Sequence, residues 1–219
     1  LVEVIPWSLS KYLNVSGKAY PNKSPGDLHY FGQIAALNDF LYRYRYLSRY
    51  VALHDVDELI LPLTVDRWLE LLPLLEKSLG ADKCYQFENN WFPIEFQLPR
   101  SKIQTLLQQD QWENISGVNI LTHLYREPQS STTTFNNFKI IVDPRAVSRL
   151  TVHGVLKSLK GCAWVHRNVA RMYHIKSRAE VNPKPETLIY DDRLLDYSTR
   201  LIPAVNRKLR QSGFLPGNS

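Results

Sequence analysis

The sequence contains few residues that would crosslink it and no segment that would anchor it. Only two of its 219 residues are cysteines, Cys84 and Cys162. They allow one disulfide at most and fit neither a disulfide framework nor a zinc cluster. No apolar run is long enough to span a membrane, and no signal-peptide pattern opens the chain. Internal repeats and long low-complexity tracts are also missing. These absences leave an ordinary globular domain.

The composition is globular, with an excess of positive charge. Hydrophobic residues make up 44% and charged residues 22%, and the length suffices for one domain with a sizeable core. The net charge of +6 and the pI near 9.3 suit a soluble basic protein. They suit equally a protein that binds nucleic acid, a membrane surface or a phosphate-bearing substrate. Three N-x-S/T sequons, at Asn14, Asn22 and Asn114, favour the secretory pathway.

Hydrophobic periodicity predicts helices that alternate with strands. The predicted elements are a helix over 30–47, a strand over 50–53, a helix over 65–79 disturbed by Pro73, strands over 84–88, 138–142 and 150–155, a short apolar segment over 169–175, and a last helix over 191–210 with Asp191 as its N-cap. This order is typical of an α/β fold, in which ligands bind beyond the carboxyl ends of the strands. We predict that residues 1–219 form a single domain. The opening "LVEVIPW" alternates between apolar and polar residues as the middle of a strand does, which predicts that this domain begins upstream.

An acidic cluster, "HDVDE", follows the predicted strand over 50–53. Carboxylates are costly in a core unless they are paired or bound to metal. Because successive strand residues point to opposite faces, we expect Asp55 and Asp57 to share a face, where they repel each other unless a cation lies between them. Magnesium, manganese and calcium prefer such oxygen ligands, and a metal held there can bridge to a diphosphate. A D-x-D triplet also occurs in solvated turns, so the triplet alone leaves both interpretations open.

The segment around this cluster resembles a known family. "HYFGQIAALNDFLYRYRYLSRYVALHDVDELILP", residues 29–62, resembles the core signature of glycosyltransferase family 92, which pairs a G-Q-x-x-A-x-N-D helix with a D-x-D-E strand end. The similarity continues in "PW" at 6–7, "KIIVDPRAV" at 139–147 and "VH" at 152–153. The final His-Tyr-Arg motif of the family here has the sequence His-Ile-Lys at 174–176. The resemblance covers most of the chain.

The resemblance implies a GT-A fold, in which a central, mostly parallel sheet flanked by helices binds a nucleotide sugar. It also implies that the chain lacks the first strands of that fold. In such enzymes the D-x-D motif holds Mn²⁺ (or Mg²⁺) against the diphosphate of the donor. By resemblance, Asp55 and Asp57 bind the metal, Asp55 also contacts the nucleotide, and Glu58 is a neighbour of the site.

Further site residues follow from the same resemblance. A histidine near the C-terminus commonly completes the metal sphere; His174 matches this role by motif, and His153 is the competing candidate. The change from Tyr-Arg to Ile175-Lys176 removes a bidentate phosphate ligand, but Lys176 keeps the positive charge. The family resembles inverting enzymes, which need a carboxylate base. The candidates for this base are Glu88 and Glu95, in "FENNWFPIE".

Three polar residues of the predicted helix over 30–47 are candidates for the nucleotide pocket. The resemblance implies that Gln33, Asn38 and Asp39 line this pocket, although helix capping or a buried hydrogen-bond network would also account for them. Two aromatic residues, Trp91 and Phe92, are candidates for an apolar platform under a sugar, with a place in the core as the alternative.

These observations predict a metal-dependent hexosyltransferase that moves galactose from UDP-galactose to a glycan or glycoprotein. The resemblance implies the Golgi lumen, with an N-terminal membrane anchor in a longer parent chain. One alternative is a degenerate member that binds glycan or nucleotide without turnover. Another is a basic nucleic-acid-binding domain, for which "YRYRYLSRY" at 42–50 supplies aromatics and arginines. Half of that segment would lie on the side of a helix that faces the protein core, so we expect no nucleic-acid partner. A calcium module fits poorly, because the cluster has no ligand loop.

Overall fold

The computed structural model describes residues 3–18, 21–99, 101–103, 112, 114–129 and 137–216. Three α-helices are described over their full length: α1 (Gln33–Tyr44), α2 (Trp68–Leu79) and α3 (Ser198–Gln211). Residues 101–103 are helical as well. The strands in chain order are β1 (Val51–Leu53), β2 (Glu58–Pro62), β3 (Cys84–Phe87), β4 (Asn89–Pro93), β5 (Tyr125–Arg126), β6 (Lys139–Val142), β7 (Val147–Thr151), β8 (Gly154–Ser158), β9 (Cys162–Trp164), β10 (Ala170–Lys176) and β11 (Ile189–Tyr190). The predicted mixed α/β class is confirmed. None of the described helices has the length and hydrophobicity that a membrane span requires.

The chain divides into two compact units whose segments alternate along the sequence. The first unit comprises residues Leu1–His54, Val65–Glu88 and Asn137–Arg167. Its four-stranded sheet has the order β1-β6-β3-β9, in which β6 runs antiparallel to β1 and β3, and β9 runs parallel to β3. Its buried apolar cluster joins α1, the sheet and the β7–β8 hairpin, and consists of Leu41, Val51, Leu53, Cys84, Ile140, Val142, Val147 and Leu150.

The second unit comprises residues Asp55–Thr64, Asn89–Asn136 and Asn168–Ser219. Strand β10 lies at the centre of its three-stranded sheet, antiparallel to β2 and parallel to β4. Strands β5 and β11 form a separate antiparallel pair. The buried cluster of this unit consists of Phe92, Leu98, Leu121, Leu124, Tyr173, Ile175 and Leu194. Four consecutive residues of β10, from Met172 to Ile175, are buried. Since successive side chains point to opposite faces, both faces of this strand are covered, which is typical of a continuous run of this kind.

Helix α1 confirms the helical pattern that begins near Tyr30, but it starts at Gln33. Residues Tyr30–Gly32 form a 3₁₀ turn in which Phe31 and Gly32 have φ angles of 55° and 73°. The left-handed region is readily accessible to glycine, so Gly32 marks the point where the chain enters the helix. Helix α2 continues through Pro73, the residue that we expected to disturb this helix.

Three local predictions are wrong. The strand predicted over 150–155 is a hairpin, in which β7 ends at Thr151 and β8 begins at Gly154. Apolar alternation does not distinguish one strand from two strands joined by a two-residue turn. The last helix starts at Ser198, because residues Arg193–Tyr197 form a 3₁₀ segment. Residues 3–7 are not in a strand, and positions 1–2 of the predicted opening strand lie outside the described residues.

The predicted mostly parallel central sheet is not confirmed. Among the described residues, each of the two larger sheets contains one parallel pairing, β3 with β9 and β4 with β10; the other pairings are antiparallel. The prediction depended on the alternation of helices and strands. That alternation specifies neither the partner of a strand nor its direction, because partners such as β2 and β10 are far apart in sequence.

Candidate active site

The acidic cluster forms the turn that leads into β2. Strand β1 ends at Leu53, and the backbone N–H of Glu58 donates to the carbonyl oxygen of Asp55 at 3.2 Å. In return, Oε2 of Glu58 accepts the backbone N–H of Asp55 at 2.7 Å. The prediction that Asp55 and Asp57 project from one face of an extended strand is therefore wrong. The turn instead buries Glu58, which is 1% exposed, and leaves the Asp57 side chain 43% exposed.

His174 lies between the two carboxylates of this turn. The β2–β10 register pairs His174 with Glu58, and the backbone N–H of Ile175 donates to the carbonyl oxygen of Asp57 at 3.1 Å. The imidazole Nε2 is 3.4 Å from Oδ2 of Asp57, and Nδ1 is 3.6 Å from Oε1 of Glu58. One ring nitrogen thus faces an exposed carboxylate and the other faces a buried one.

Burial keeps this histidine neutral. Desolvation lowers the pKa of His174, and the charges of Glu58 and Asp57 only partly oppose that effect. Neither ring nitrogen has a hydrogen-bond partner within the described residues. Neutral imidazole is the form that ligates a metal, and a carboxylate at the second ring nitrogen is the usual support for such a ligand.

An aromatic and a cationic side chain, Trp91 and Arg178, lie next to His174. The indole ring of Trp91 stacks on the imidazole with 4.3 Å between ring centroids. The Arg178 guanidinium lies 4.2 Å from the centroid of the same indole ring, and its Nε donates to Oε1 of Glu127 at 2.9 Å. Phe92 is fully buried and stacks on Tyr173, so of its two predicted roles it has the core one.

Glu95 lies just beyond the carboxyl end of β4. Its Oε1 accepts the Ser177 hydroxyl at 2.5 Å, and both carboxylate oxygens accept the backbone N–H of Arg178, at 3.0 and 3.1 Å. The hydrogen bond from Ser177 lowers the pKa of Glu95, and the backbone donors add to it. Lys176 is exposed and pairs in register with Pro93.

One edge of the three-stranded sheet therefore gathers the candidate residues of the second unit. Strands β4 and β10 are parallel and end at this edge, where the antiparallel β2 begins. The acidic turn, the segment from Trp91 to Glu95 and the segment from His174 to Arg178 meet there. Among the described residues, however, no group of three or more histidine, cysteine, aspartate or glutamate side chains is arranged to hold a metal ion by itself.

The remaining candidates lie in the first unit. Gln33 is the first residue of α1, and Asn38 bonds the backbone of β7 through Leu150. Asp39 forms an i,i+4 ion pair with Arg43. These contacts give Asn38 and Asp39 structural partners.

Two further candidates of the first unit also have structural contacts. Glu88 forms an ion pair with Arg167 at 3.0 Å. His153 lies in the turn of the β7–β8 hairpin, where its backbone N–H donates to the Thr151 hydroxyl at 3.4 Å.

The family model for Glycosyltransferase family 92 matches residues 1–204. The chain belongs to glycosyltransferase family 92. The matched range includes the acidic turn, β10 and every predicted site residue of this family 92 chain. A comparison with curated proteins found no match.

Three residues at this edge were not predicted from the sequence: Ser177, Arg178 and Glu127. Ser177 and Arg178 immediately follow the His-Ile-Lys segment, so extending that motif by two residues would have found them. Glu127 has no local signal, because it reaches Arg178 only through the tertiary structure.

Proposed function

We propose that this family 92 glycosyltransferase uses a GT-A-type site to transfer galactose from UDP-galactose to a hydroxyl of a glycan or glycoprotein in the secretory pathway. Membership of the family supports sugar transfer itself. The observation that carries the proposal is the arrangement of His174 between exposed Asp57 and buried Glu58. A neutral imidazole beside an exposed carboxylate suits a divalent cation shared with a diphosphate.

The residues present fit Mn²⁺ (or Mg²⁺) when substrate completes the coordination. Asp57 and His174 would hold the ion, with Asp55 on the nucleotide side; two or three protein ligands suffice because such hard cations keep waters and bind substrate phosphates. The bound ion would supply the positive charge that neutralises the leaving diphosphate. His153 remains the competing histidine.

Two neighbours position His174 in this proposal. Glu58 lies 3.6 Å from Nδ1, so its carboxylate favours the tautomer with the proton on Nδ1 and the Nε2 lone pair on the side of Asp57. Trp91 fixes the plane of the imidazole by stacking. The exposed Lys176 places positive charge at the same edge of the sheet, which favours an anionic diphosphate, whereas the charge of Arg178 is paired with Glu127.

Glu95 is our candidate for the base. It shares the sheet edge with His174, and its carboxylate is ionised; the hydrogen bonds that lower its pKa also reduce its strength as a base. In the proposed step the carboxylate takes the proton of the acceptor hydroxyl, whose oxygen attacks the anomeric carbon while the bond to the UDP oxygen breaks. Glu88, in its ion pair with Arg167, is the second candidate.

Two observations bear on the alternatives. The arginines of 42–50 have partners within the first unit: Arg43 pairs with Asp39, Arg45 donates to the carbonyl of Val147, and Arg49 pairs with Glu76. These contacts give the three arginines structural partners and do not favour the nucleic-acid alternative. The engagement of Glu95 by Ser177 and Arg178 instead favours the second candidate function, binding of a nucleotide or glycan without turnover.

Titration of UDP into the purified chain, with and without Mn²⁺, tests the donor site. We expect Mn²⁺-dependent binding that Asp57→Asn abolishes and that Glu58→Gln weakens about 10–100-fold. Glu70→Gln is the matched control, because Glu70 lies on α2 and pairs with exposed Arg67; it should bind as the parent does. Binding that ignores Mn²⁺ and Asp57→Asn would contradict the metal site.

Turnover is tested separately with UDP-sugars and a glycan acceptor. We expect UDP release from UDP-galactose in preference to UDP-glucose, and loss of release in Glu95→Gln. Mn²⁺-dependent UDP binding without release from any donor would assign the chain to the non-catalytic alternative.

A further inference from the structure

The two cysteines lie opposite each other in the first unit. The parallel pairing of β3 with β9 aligns Cys84 with Cys162, and the backbone N–H of Cys84 donates to the carbonyl oxygen of Gly161 at 3.1 Å. Neighbouring strands are about 4.7–4.9 Å apart. Disulfide-bonded cysteines have Cα atoms about 4.4–6.8 Å apart, so this register needs no backbone rearrangement to be bridged.

The two side chains differ in exposure in a way that suits stepwise oxidation. Cys84 is fully buried in the apolar cluster of the first unit, whereas Cys162 is exposed. A hydrogen bond between the two thiols raises the pKa of Cys84, which burial raises further, and it lowers the pKa of Cys162. Cys162 is therefore the thiol that an external reagent reaches and that reacts as a thiolate.

We propose that Cys84 and Cys162 form an intrachain disulfide that fastens β9 to β3. The oxidant is an external disulfide, either a small molecule or an oxidoreductase. The Cys162 thiolate attacks one sulfur of this disulfide and releases one thiol. Cys84 then loses its proton and attacks the Cys162 sulfur of the mixed disulfide, which releases the second thiol. Two cysteine thiols and one disulfide thus become one cystine and two thiols, a two-electron exchange.

In the topology of the sheet, this bond would hold a short terminal strand in place. Strand β9 has three residues and lies at the end of the strand order, so β3 is its partner in the four-stranded sheet. Between the two cysteines the chain leaves the first unit at Glu88 and returns at Asn137. A crosslink across so long a loop removes much of the conformational freedom of the unfolded chain. An oxidising compartment, which the family and the sequons favour, permits such a bond.

Thiol counting and peptide mapping test the proposal directly. The purified 219-residue chain, exposed to oxidised glutathione and then unfolded in denaturant without reductant, should show no free thiol, and both thiols should appear after reduction. Proteolysis should yield one peptide pair joined through Cys84 and Cys162. Free thiols in the unfolded oxidised chain, a glutathione adduct at Cys162 alone, or a dimer linked through Cys162 would each overturn the proposal.

Thermal unfolding supplies the second test, with Cys162→Ser as the variant because this exposed position can change without disturbing the core. We expect reduction to lower the Tm of the parent by roughly 5–15 °C and to leave the Tm of Cys162→Ser unchanged. Under reducing conditions the two proteins should have the same Tm. An equal response of both proteins to reductant would overturn the proposal.

Discussion

At the scale of single residues, the buried carboxylate of Asp191 joins three side chains of the second unit. Its Oδ2 accepts from Arg171 Nη1 at 2.6 Å and from Arg126 Nε at 3.2 Å, and its Oδ1 accepts the Tyr173 hydroxyl at 2.6 Å. The Asp191 and Arg126 side chains are 9% and 12% exposed, so water screens these charges poorly. Burial, together with the bond to Asp191, raises the pKa of Tyr173, which keeps its hydroxyl a donor.

Asp191→Asn should therefore destabilise the chain strongly. The substitution keeps the volume but leaves two guanidinium groups without their counter-charge, at a cost of about 3–5 kcal/mol in the free energy of unfolding. Tyr173→Phe, the control, removes one hydrogen bond and should cost about 1–2 kcal/mol. Urea unfolding of the two variants measures both values. Equal costs would show that the charges of the arginines contribute little.

The sequence predicts which single residues are unusual better than it predicts their partners, as Asp191 and the acidic cluster illustrate. An aspartate shortly before an apolar helix pattern resembles an N-cap, and Asp191 Oδ1 does accept the backbone N–H of Arg193, at 3.4 Å. Its shorter bonds go to Arg126 and Arg171, which no local pattern connects to it. The acidic cluster was identified because carboxylates beside a buried strand are unusual. Its contact with His174 was not predictable from local patterns, because it depends on the register of β2 with β10.

At the scale of elements, the amide side chain of Asn38 links α1 to the backbone of β7. Oδ1 of Asn38 accepts the Leu150 N–H at 3.0 Å, and Nδ2 donates to the Leu150 carbonyl at 3.1 Å and to the Ile34 carbonyl at 2.8 Å. Leu150 is fully buried, so its backbone groups have no access to water. Asn38 thus satisfies backbone groups that would otherwise be buried unpaired.

Asn38→Ala should cost about 2–3 kcal/mol in unfolding free energy, because the Leu150 N–H and carbonyl lose their partners. Hydrogen exchange of the Leu150 amide should accelerate as well. Asp39→Ala, at the next position of the same helix, removes only an exposed pair with Arg43 and should change the free energy of unfolding far less than Asn38→Ala does. Because alanine favours the helix at both positions, similar losses for both variants would mean that the contact with β7 contributes no more than the exposed ion pair.

The elements differ in how far local pattern determines them. The bodies of α1 and α2 follow from apolar spacing, and β1, β3 and β6 follow from short apolar runs. The β7–β8 hairpin was predicted as one strand because its two-residue turn interrupts the alternation too briefly. The direction and order of the strands depend on contacts between segments far apart in sequence, which periodicity does not encode.

For the whole molecule, buried neutral histidines link stability to pH. His123 is 3% exposed, and burial lowers its pKa, only partly opposed by its hydrogen bond with the Phe96 backbone and the charge of Glu95. Burial also lowers the pKa of His174. In the unfolded chain both titrate near the ordinary value of 6.5. As the pH falls through that value, the unfolded chain takes up protons that the folded chain does not. The free energy of unfolding therefore decreases as the pH decreases.

We therefore expect the free energy of unfolding to fall between about pH 7.5 and about pH 5.5, either side of the ordinary histidine pKa. His123→Gln should be less stable than the parent near pH 7.5 but should lose less stability over this interval, because glutamine does not titrate. Urea unfolding at each pH measures both slopes. His29→Gln is the control, because the same substitution is made at a histidine that is only partly buried; its slope should equal that of the parent. A parent slope that is unchanged by His123→Gln would show that other groups, such as His174, carry the pH dependence.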